Sequence, residues 1–143
     1  METIRISVRN LVEFVMRSGD LDNRRSQGAK KEAMQAGSRL HRKIQKRMGA
    51  DYRAEAALKH LVKEDVFSIL LEGRADGIIT EAAGVTIDEI KCIYMDVERL
   101  ERPDPVHLAQ AMCYGYIYAF DRGLDNLGIQ LTYCNIANEQ IRR

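Results

Sequence analysis

The sequence contains no hydrophobic run that approaches the length of a membrane-spanning helix, which needs about 20 consecutive apolar residues. Its first residues, Met1 to Arg5, do not begin a signal peptide. We therefore expect a protein with no membrane partner, located in the cytoplasm. Internal repeats and low-complexity segments are also absent from the sequence.

Cysteine is scarce and dispersed. The three cysteines, Cys92, Cys113 and Cys134, are far apart in sequence and form no Cys-x-x-Cys pair, so the sequence predicts no disulfide. The chain of 143 residues is long enough for one domain with a hydrophobic core, spanning residues 1–143, and too short to hold a motor domain as well. Its 45% hydrophobic and 30% charged residues are typical of a globular protein.

The net charge of +1 hides an uneven distribution along the chain. Residues 1–60 contain 14 Lys or Arg against 7 Asp or Glu, whereas residues 61–143 contain 8 against 14. A basic surface attracts phosphates over a Debye length of about 10 Å, and an acidic pocket collects metal ions. The distribution therefore favours a nucleic-acid partner, although a solvated helix surface would show the same bias.

The hydrophobic patterns predict an α/β fold in the order helix, helix, strand, strand, strand, helix, strand. Ser7 is a suitable N-cap for the first helix, Asp104-Pro105 is a strong helix start, and Gly123 is a stop. The predicted helices are Val8–Ser18, Ala29–Met48 and Pro105–Asp121, and the predicted strands are Tyr52–Leu58, Val66–Asp76, Val85–Ile93 and Ile129–Ile136. We therefore expect a small four-stranded mixed sheet flanked by helices.

Polar residues cluster in the predicted hairpin Leu71–Ile93. Successive strand residues alternate faces, so Glu89 and Lys91 share one face, and Asp76 at the end of the preceding strand lies beside them if the strands pair. One interpretation is a surface salt bridge at a solvated hairpin end, because such pairs are common and weak. The other is a site for Mg²⁺ or Mn²⁺, which prefer oxygen ligands such as two converging carboxylates.

These residues resemble the motif of the PD-(D/E)XK nucleases, in which an Asp is followed on the next strand by an acid-x-Lys triplet. Asp76 and Glu89-Ile90-Lys91 fit that pattern, although the triplet alone occurs by chance in many proteins. The RecB-like exonuclease branch adds a His on an upstream helix and a Gln followed four residues later by Tyr on a downstream helix. His41, Gln110 and Tyr114 occur at matching places, so all five elements appear in the right order.

The resemblance implies a restriction-endonuclease-like core and a set of residue roles. The metal ligands would be His41, Asp76, Glu89 and the carbonyl of Ile90, holding Mg²⁺ or Mn²⁺, and the imidazole shifts the preference towards Mn²⁺. The catalytic residues would be Asp76, Glu89, Lys91, Gln110 and Tyr114. Some RecB-like nucleases hold an iron–sulfur cluster with four cysteines. This chain lacks that set, and we therefore expect no iron–sulfur cluster.

The implied activity is metal-dependent hydrolysis of DNA phosphodiester bonds, by an exonuclease acting on single-stranded ends in repair or processing. The candidate DNA contacts are Arg24 and Arg25 in a polar loop and Arg39 and Lys43 on the outer side of the second helix. The chain also resembles the N-terminal nuclease module of bacterial DinG-like helicases, which suggests a fragment of a longer helicase-nuclease. The alternatives are a catalytically silent DNA-binding module serving an attached helicase and a metal-stabilised structural domain.

Overall fold

The computed structural model describes residues 2–16 and 27–143. The first helix ends at Val15, three residues before the predicted Ser18. Most of the predicted loop 20–28, including Arg24 and Arg25, lies outside the described residues. The predictions for those positions therefore stand as they were made.

The described part of the chain forms an α/β fold, as predicted, with three α-helices and a mixed sheet of six strands. The helices are α1 (Val8–Val15), α2 (Gln27–Arg47) and α3 (Pro105–Arg122), with a short 3-10 helix at Val97–Arg99. The strands are β1 (Glu2–Ser7), β2 (Tyr52–Lys63), β3 (Phe67–Glu81), β4 (Gly84–Ile93), β5 (Gly128–Asn135) and β6 (Ile141–Arg142). No helix in the described part of the chain is long and apolar enough to cross a membrane.

The predicted four strands are all present, and the sheet gains β1 and β6 at its ends. β1 was missed because only Ile4 and Ile6 of its six residues are apolar and because Ser7 belongs to both elements. Ser7 ends the strand and also caps α1, its side chain accepting the Asn10 N–H. β6 has only two residues, too few to produce a pattern.

The strand β3 continues to Glu81 and is longer than predicted, which corrects the expectation that it ends at Asp76. β2 pairs antiparallel along one edge of β3 from Ser68 to Ile79. On the other edge, β1 pairs in parallel with Phe67–Glu72, and β4 pairs antiparallel with Gly77–Glu81. Residues 73–76 of β3 therefore have no described strand partner on that edge. We call this opening between β1 and β4 the fork.

The helices cover the two faces of the sheet at different places. α1 and α3 share one face, where Val12 and Ile117 pack with Leu58, Leu71 and Ile87. α2 covers the opposite face of β4 and β5 through two buried residues, Leu40 and Ile44, which pack on Ile90 and Cys134. The fork lies between these helix layers, so side chains from both can reach it.

The strands β2 and β3 change the direction in which their side chains point at the fork. Ala75 and Ile78 are three residues apart and should face opposite sides of a regular strand, yet both belong to the core under α1 and α3. On β2, Ala54 pairs with Gly77 and Ala56 with Ala75, which leaves Glu55 opposite Asp76. Glu55 has a φ of 52°, a left-handed conformation that costs about 1–3 kcal/mol for a residue other than glycine.

Gly77 allows an aromatic ring to cross β3. The Tyr52 hydroxyl donates to the Asp88 carboxylate at 2.9 Å, and a Cβ atom at Gly77 would overlap the Tyr52 ring. We predict that Gly77→Ala lowers the free energy of unfolding by about 1–3 kcal/mol, the usual cost of overpacking. In a Tyr52→Ala background the same change should cost much less, because the ring that it displaces is absent.

Urea unfolding of the two single variants and the double variant measures this coupling. Gly49→Ala is the matched control, because a Cβ atom there meets nothing within 4 Å. An equal cost of Gly77→Ala in both backgrounds would contradict the assigned contact.

Candidate metal centre and catalytic site

The fork gathers side chains from four elements. β3 supplies Asp76, β4 supplies Glu89 and Lys91, α2 supplies His41, and α3 supplies Gln110. The structure thus brings these predicted residues to one place, although Asp76 lies within β3 and not at its end.

Asp76 occupies the place that a strand partner would otherwise fill. Its Oδ2 accepts the Ile90 N–H at 2.7 Å, and its Oδ1 accepts from His41 Nε2 at 3.0 Å. Burial would raise the pKa of this carboxyl, but the hydrogen bond from His41 and the other contacts outweigh it and lower the pKa. The same hydrogen bond raises the pKa of His41 against the effect of burial. Asp76 is therefore an ionised, well-oriented carboxylate.

Glu89 is in the opposite electrostatic situation. Its side chain is only 6% exposed, and its Oε2 has no hydrogen-bond partner among the described residues. Burial, followed by the neighbouring Asp76 carboxylate, raises the pKa of Glu89 to about 10. Without a metal ion, Glu89 therefore keeps its proton at neutral pH while Asp76 is charged. A buried carboxyl with an unused oxygen is a strained arrangement that a cation would relieve.

Lys91 is oriented by α3. Its Nζ donates to Gln110 Oε1 at 2.8 Å and lies 4.0 Å from Glu89 Oε1. Gln110 is buried, so its amide has little freedom to move. The predicted Gln110 thus acts on Lys91, which fixes the ammonium group beside the carboxyl pair.

Tyr114 lies one helical turn beyond Gln110 and packs against the unpaired part of β3. A Cβ atom at Gly73 would lie 2.9 Å from the Tyr114 ring and hydroxyl, so Gly73 is the residue that lets this ring approach. Burial raises the pKa of Tyr114, so its hydroxyl stays protonated.

Glu55 joins the site, although no sequence motif indicates it. One ligand atom each from His41, Glu55 and Asp76 lies within 4.8 Å of the others. The Gln45 amide links Glu55 to β3, donating to Glu55 Oε1 at 3.0 Å and to the Asp76 carbonyl at 2.9 Å. The signal that could have found Glu55 is its place opposite Asp76, which becomes visible only once the pairing of β2 with β3 is known.

The donor set fits a hard divalent cation. Asp76 and Glu55 offer carboxylate oxygens and His41 offers one imidazole nitrogen, a combination suited to Mg²⁺ or, with the nitrogen, Mn²⁺. Glu89 lies outside this group of three and interacts with it electrostatically through Asp76. The unpartnered Oε2 of Glu89 supports the same conclusion from a different observation. The residues present therefore fit the metal that the sequence predicts.

The predicted DNA-contact residues differ in their surroundings. Arg39 is exposed on α2, whereas Lys43 forms an ion pair with Glu139 Oε1 at 2.7 Å. A cleft of about 1320 Å³ opens beside the site, and its basic lining residues include Arg9, Arg42 and Lys91. Arg9 and Arg42 were not among the predicted DNA contacts.

The raised pKa of Glu89 predicts how metal-free stability depends on pH. The unfolded chain loses this proton near pH 4.5 and the folded chain only near pH 10. Stability should therefore fall as pH rises through this window, by up to about 1.4 kcal/mol per pH unit from this group. Glu89→Gln removes this contribution, so the variant should gain stability over the wild type as pH rises from 5 to 8.

Thermal unfolding in EDTA between pH 5 and pH 8 tests this prediction. Glu81→Gln, at the exposed end of the same hairpin, is the control for removing a carboxylate. Parallel pH profiles for wild type and Glu89→Gln would show that Glu89 is already ionised in the folded protein.

The position of Glu55 predicts a contribution to metal affinity. We expect Glu55→Gln to weaken Mn²⁺ binding by at least about tenfold, because neutralising a carboxylate in the coordination environment typically costs that much or more. Isothermal titration with Mn²⁺ measures the change. Glu64→Gln, exposed at the turn after β2, is the matched control. Equal affinity of Glu55→Gln and wild type would exclude Glu55 from the site.

Comparison with known proteins supports the fold. No protein-family model matches the sequence, and no curated protein matches it. The chain is similar in structure to the protein in the crystal structure of SSO0001, with a TM-score of 0.62 and 18% sequence identity. The match covers 99% of this chain and 67% of that one. At this identity the likeness shows a shared fold alone.

Proposed function

We propose that this protein is a metal-dependent nuclease that hydrolyses DNA phosphodiester bonds, acting as an exonuclease on single-stranded ends in repair or processing. The observation that carries the proposal is the convergence of Asp76, Glu89 and Lys91 in the fork, with His41 bound to Asp76 and one oxygen of Glu89 unpartnered. The resemblance to the RecB-like PD-(D/E)XK nucleases rests on the same residues.

The metal would be held by Asp76, Glu89 and His41, with Glu55 as an additional ligand and the Ile90 carbonyl as an expected one. When bound, Mg²⁺ or Mn²⁺ would lower the pKa of a coordinated water and offset the negative charge that develops on the phosphate. Glu89 must lose its proton to act as a ligand. His41 must exchange its hydrogen bond to Asp76 for the metal, and Asp76 remains fixed by the Ile90 N–H.

Lys91 supplies the remaining chemistry. Held by Gln110, its ammonium would orient the attacking water or stabilise charge on the phosphate oxygens. After losing a proton, the neutral amine would instead accept one from that water. Tyr114 keeps its hydroxyl protonated and would serve as a donor near the same phosphate. We expect these events in the cytoplasm, with DNA as the partner and, if the chain is part of a longer protein, a linked DinG-like helicase.

The second candidate is a catalytically silent module that binds DNA for an attached helicase. One feature of the metal-free site favours it: the raised pKa of Glu89, because a carboxyl that keeps its proton is not ready to bind a metal. Metal binding without any affinity for DNA would instead favour a metal-stabilised structural domain.

Loss of catalytic groups should abolish cleavage without abolishing binding. We predict that Asp76→Ala and Lys91→Ala each lower the cleavage rate by at least about 100-fold, the usual effect of removing one transition-state contact. The assay uses single-stranded and duplex DNA labelled at either end, with Mg²⁺, Mn²⁺ or EDTA. Glu81→Gln, an exposed carboxylate in the same hairpin, should retain the wild-type rate.

The pattern of outcomes separates the candidates. Metal-dependent cutting by wild type with loss in both variants supports the nuclease, and the label pattern distinguishes ends from internal sites. Most of the rate surviving in Lys91→Ala would refute its role. Binding of DNA without cutting by wild type would favour the silent module.

A further inference from the structure

The sheet has a face that no described helix covers. Leu58 and Leu71 point into the core under α1 and α3, so the residues that alternate with them point to the opposite side. On that side α2 packs over β4 and β5, at Ile90 and Cys134. No described helix therefore packs on the second face of the first half of β3, of β1 and of most of β2.

This second face is rich in cations. It carries two arginines and two lysines, all of them exposed, namely Arg5 on β1, Lys59 and Lys63 on β2, and Arg74 on β3. The strand register places them together: Arg5 and Leu61 both pair with Leu70, and Lys59 pairs with Glu72. One carboxylate, that of Glu72, lies beside these four cations, at the position that pairs with Lys59. We call the four cations the basic face.

Protection of an exposed sheet edge accounts for part of the basic face. Lysines on edge strands block unwanted pairing with other chains, and this would account for Lys59 and Lys63 on β2. Arg74 lies on β3, which is paired with β2 on one edge and is unpaired at the fork on the other, so its guanidinium lies beside the site. Its exposed guanidinium stands on an open surface, where it is available for an anionic partner.

The basic face is continuous with the fork. Arg74 precedes Asp76 by two residues, a separation of about 7 Å along a strand. Lys59, Lys63 and Arg5 continue the positive charge away from the fork across three strands. Consider an anionic chain with evenly spaced charges and one phosphate at the metal centre beside Asp76. The phosphates that follow along that chain would lie near these cations.

We propose that the basic face binds the sugar–phosphate backbone of the single-stranded DNA outside the fork. This inference rests on the proposed function, because it assigns the path of the same substrate. Phosphate contacts of this kind carry no sequence information and fix the strand's position. They release bound counterions, so the affinity that they add decreases steeply as salt concentration rises.

The test compares two variants that lose the same charge. In the test variant, Arg5, Lys59, Lys63 and Arg74 are all replaced by Gln. In the control variant, the exposed residues Arg47, Arg99, Arg102 and Arg122, which lie outside the basic face, are replaced by Gln. Fluorescence anisotropy measures binding of a 6-nucleotide and a 20-nucleotide single strand in EDTA at several salt concentrations. Thermal unfolding checks that both variants are folded.

We expect the test variant to bind the 20-nucleotide strand at least about tenfold more weakly at low salt, with a salt slope shallower by about 3, since each single-strand phosphate contact contributes about 0.7. The 6-nucleotide strand can contact fewer of the four cations at once and should therefore lose less affinity. The control variant should resemble wild type.

Equal affinity and equal salt slope of the test variant and wild type would overturn the proposal that the basic face binds DNA. The nuclease proposal would be unaffected, because the cleavage assay tests it separately. An equal loss in both variants would show a general charge effect and also overturn it. Absence of any DNA binding by wild type would overturn both proposals. If the test variant is unfolded, the single variant Arg74→Gln replaces it. We expect its salt slope to be shallower by about 0.7, and an unchanged slope would contradict the proposal.

Discussion

The structure of the site depends on the hydrogen bond between the Ile90 N–H and the Asp76 carboxylate at 2.7 Å. At this point β3 and β4 stop pairing, and a backbone donor that would otherwise be unsatisfied is bound by a side chain. The same carboxylate accepts from His41 and thereby ties α2 to the sheet. Asp76 thus ends the β3–β4 pairing, anchors α2 to the sheet and places a negative charge in the fork.

The fork also concentrates features that lower stability. Glu89 is buried with an oxygen that has no hydrogen-bond partner among the described residues, and Glu55 has a positive φ. A protein selected for stability alone would gain by replacing the buried carboxyl with an apolar side chain. Such costs are tolerated when the arrangement serves a function, because a bound cation would satisfy the oxygens that the fold leaves unused.

Much of this arrangement follows from sequence. Strand alternation put Glu89 and Lys91 on one face, and the helix signals at Ser7, Asp104 and Gly123 fixed the helix ends that the structure has. The predicted strand ended at Asp76 because glycine usually interrupts strands and the next residue is Gly77. In the structure it is the position where Tyr52 crosses β3, a reason that exists only in the tertiary structure. The fold class was therefore predictable and the length of β3 was not.

Long-range pairing decided the remaining differences. Glu55 joins His41 and Asp76 because β2 pairs with β3 in one register, and Lys43 meets Glu139, which is 96 residues away. Neither contact leaves a periodic or local signal in the sequence. The sequence motif identified the residues that have a characteristic spacing. Glu55 and the Lys43–Glu139 pair are brought together by strand register and long-range folding, so they could be found only from the structure.

Anomalous X-ray scattering from crystals grown with Mn²⁺ is the most direct test of the claim that the fork is a metal centre. The account predicts a manganese peak within about 2.5 Å of carboxylate oxygens of both Asp76 and Glu89, with His41 or Glu55 completing the ligand set. Two results would contradict the account. One is a manganese peak elsewhere on the surface at full occupancy, with the Glu89 side chain in its metal-free position. The other is no manganese peak at saturating Mn²⁺.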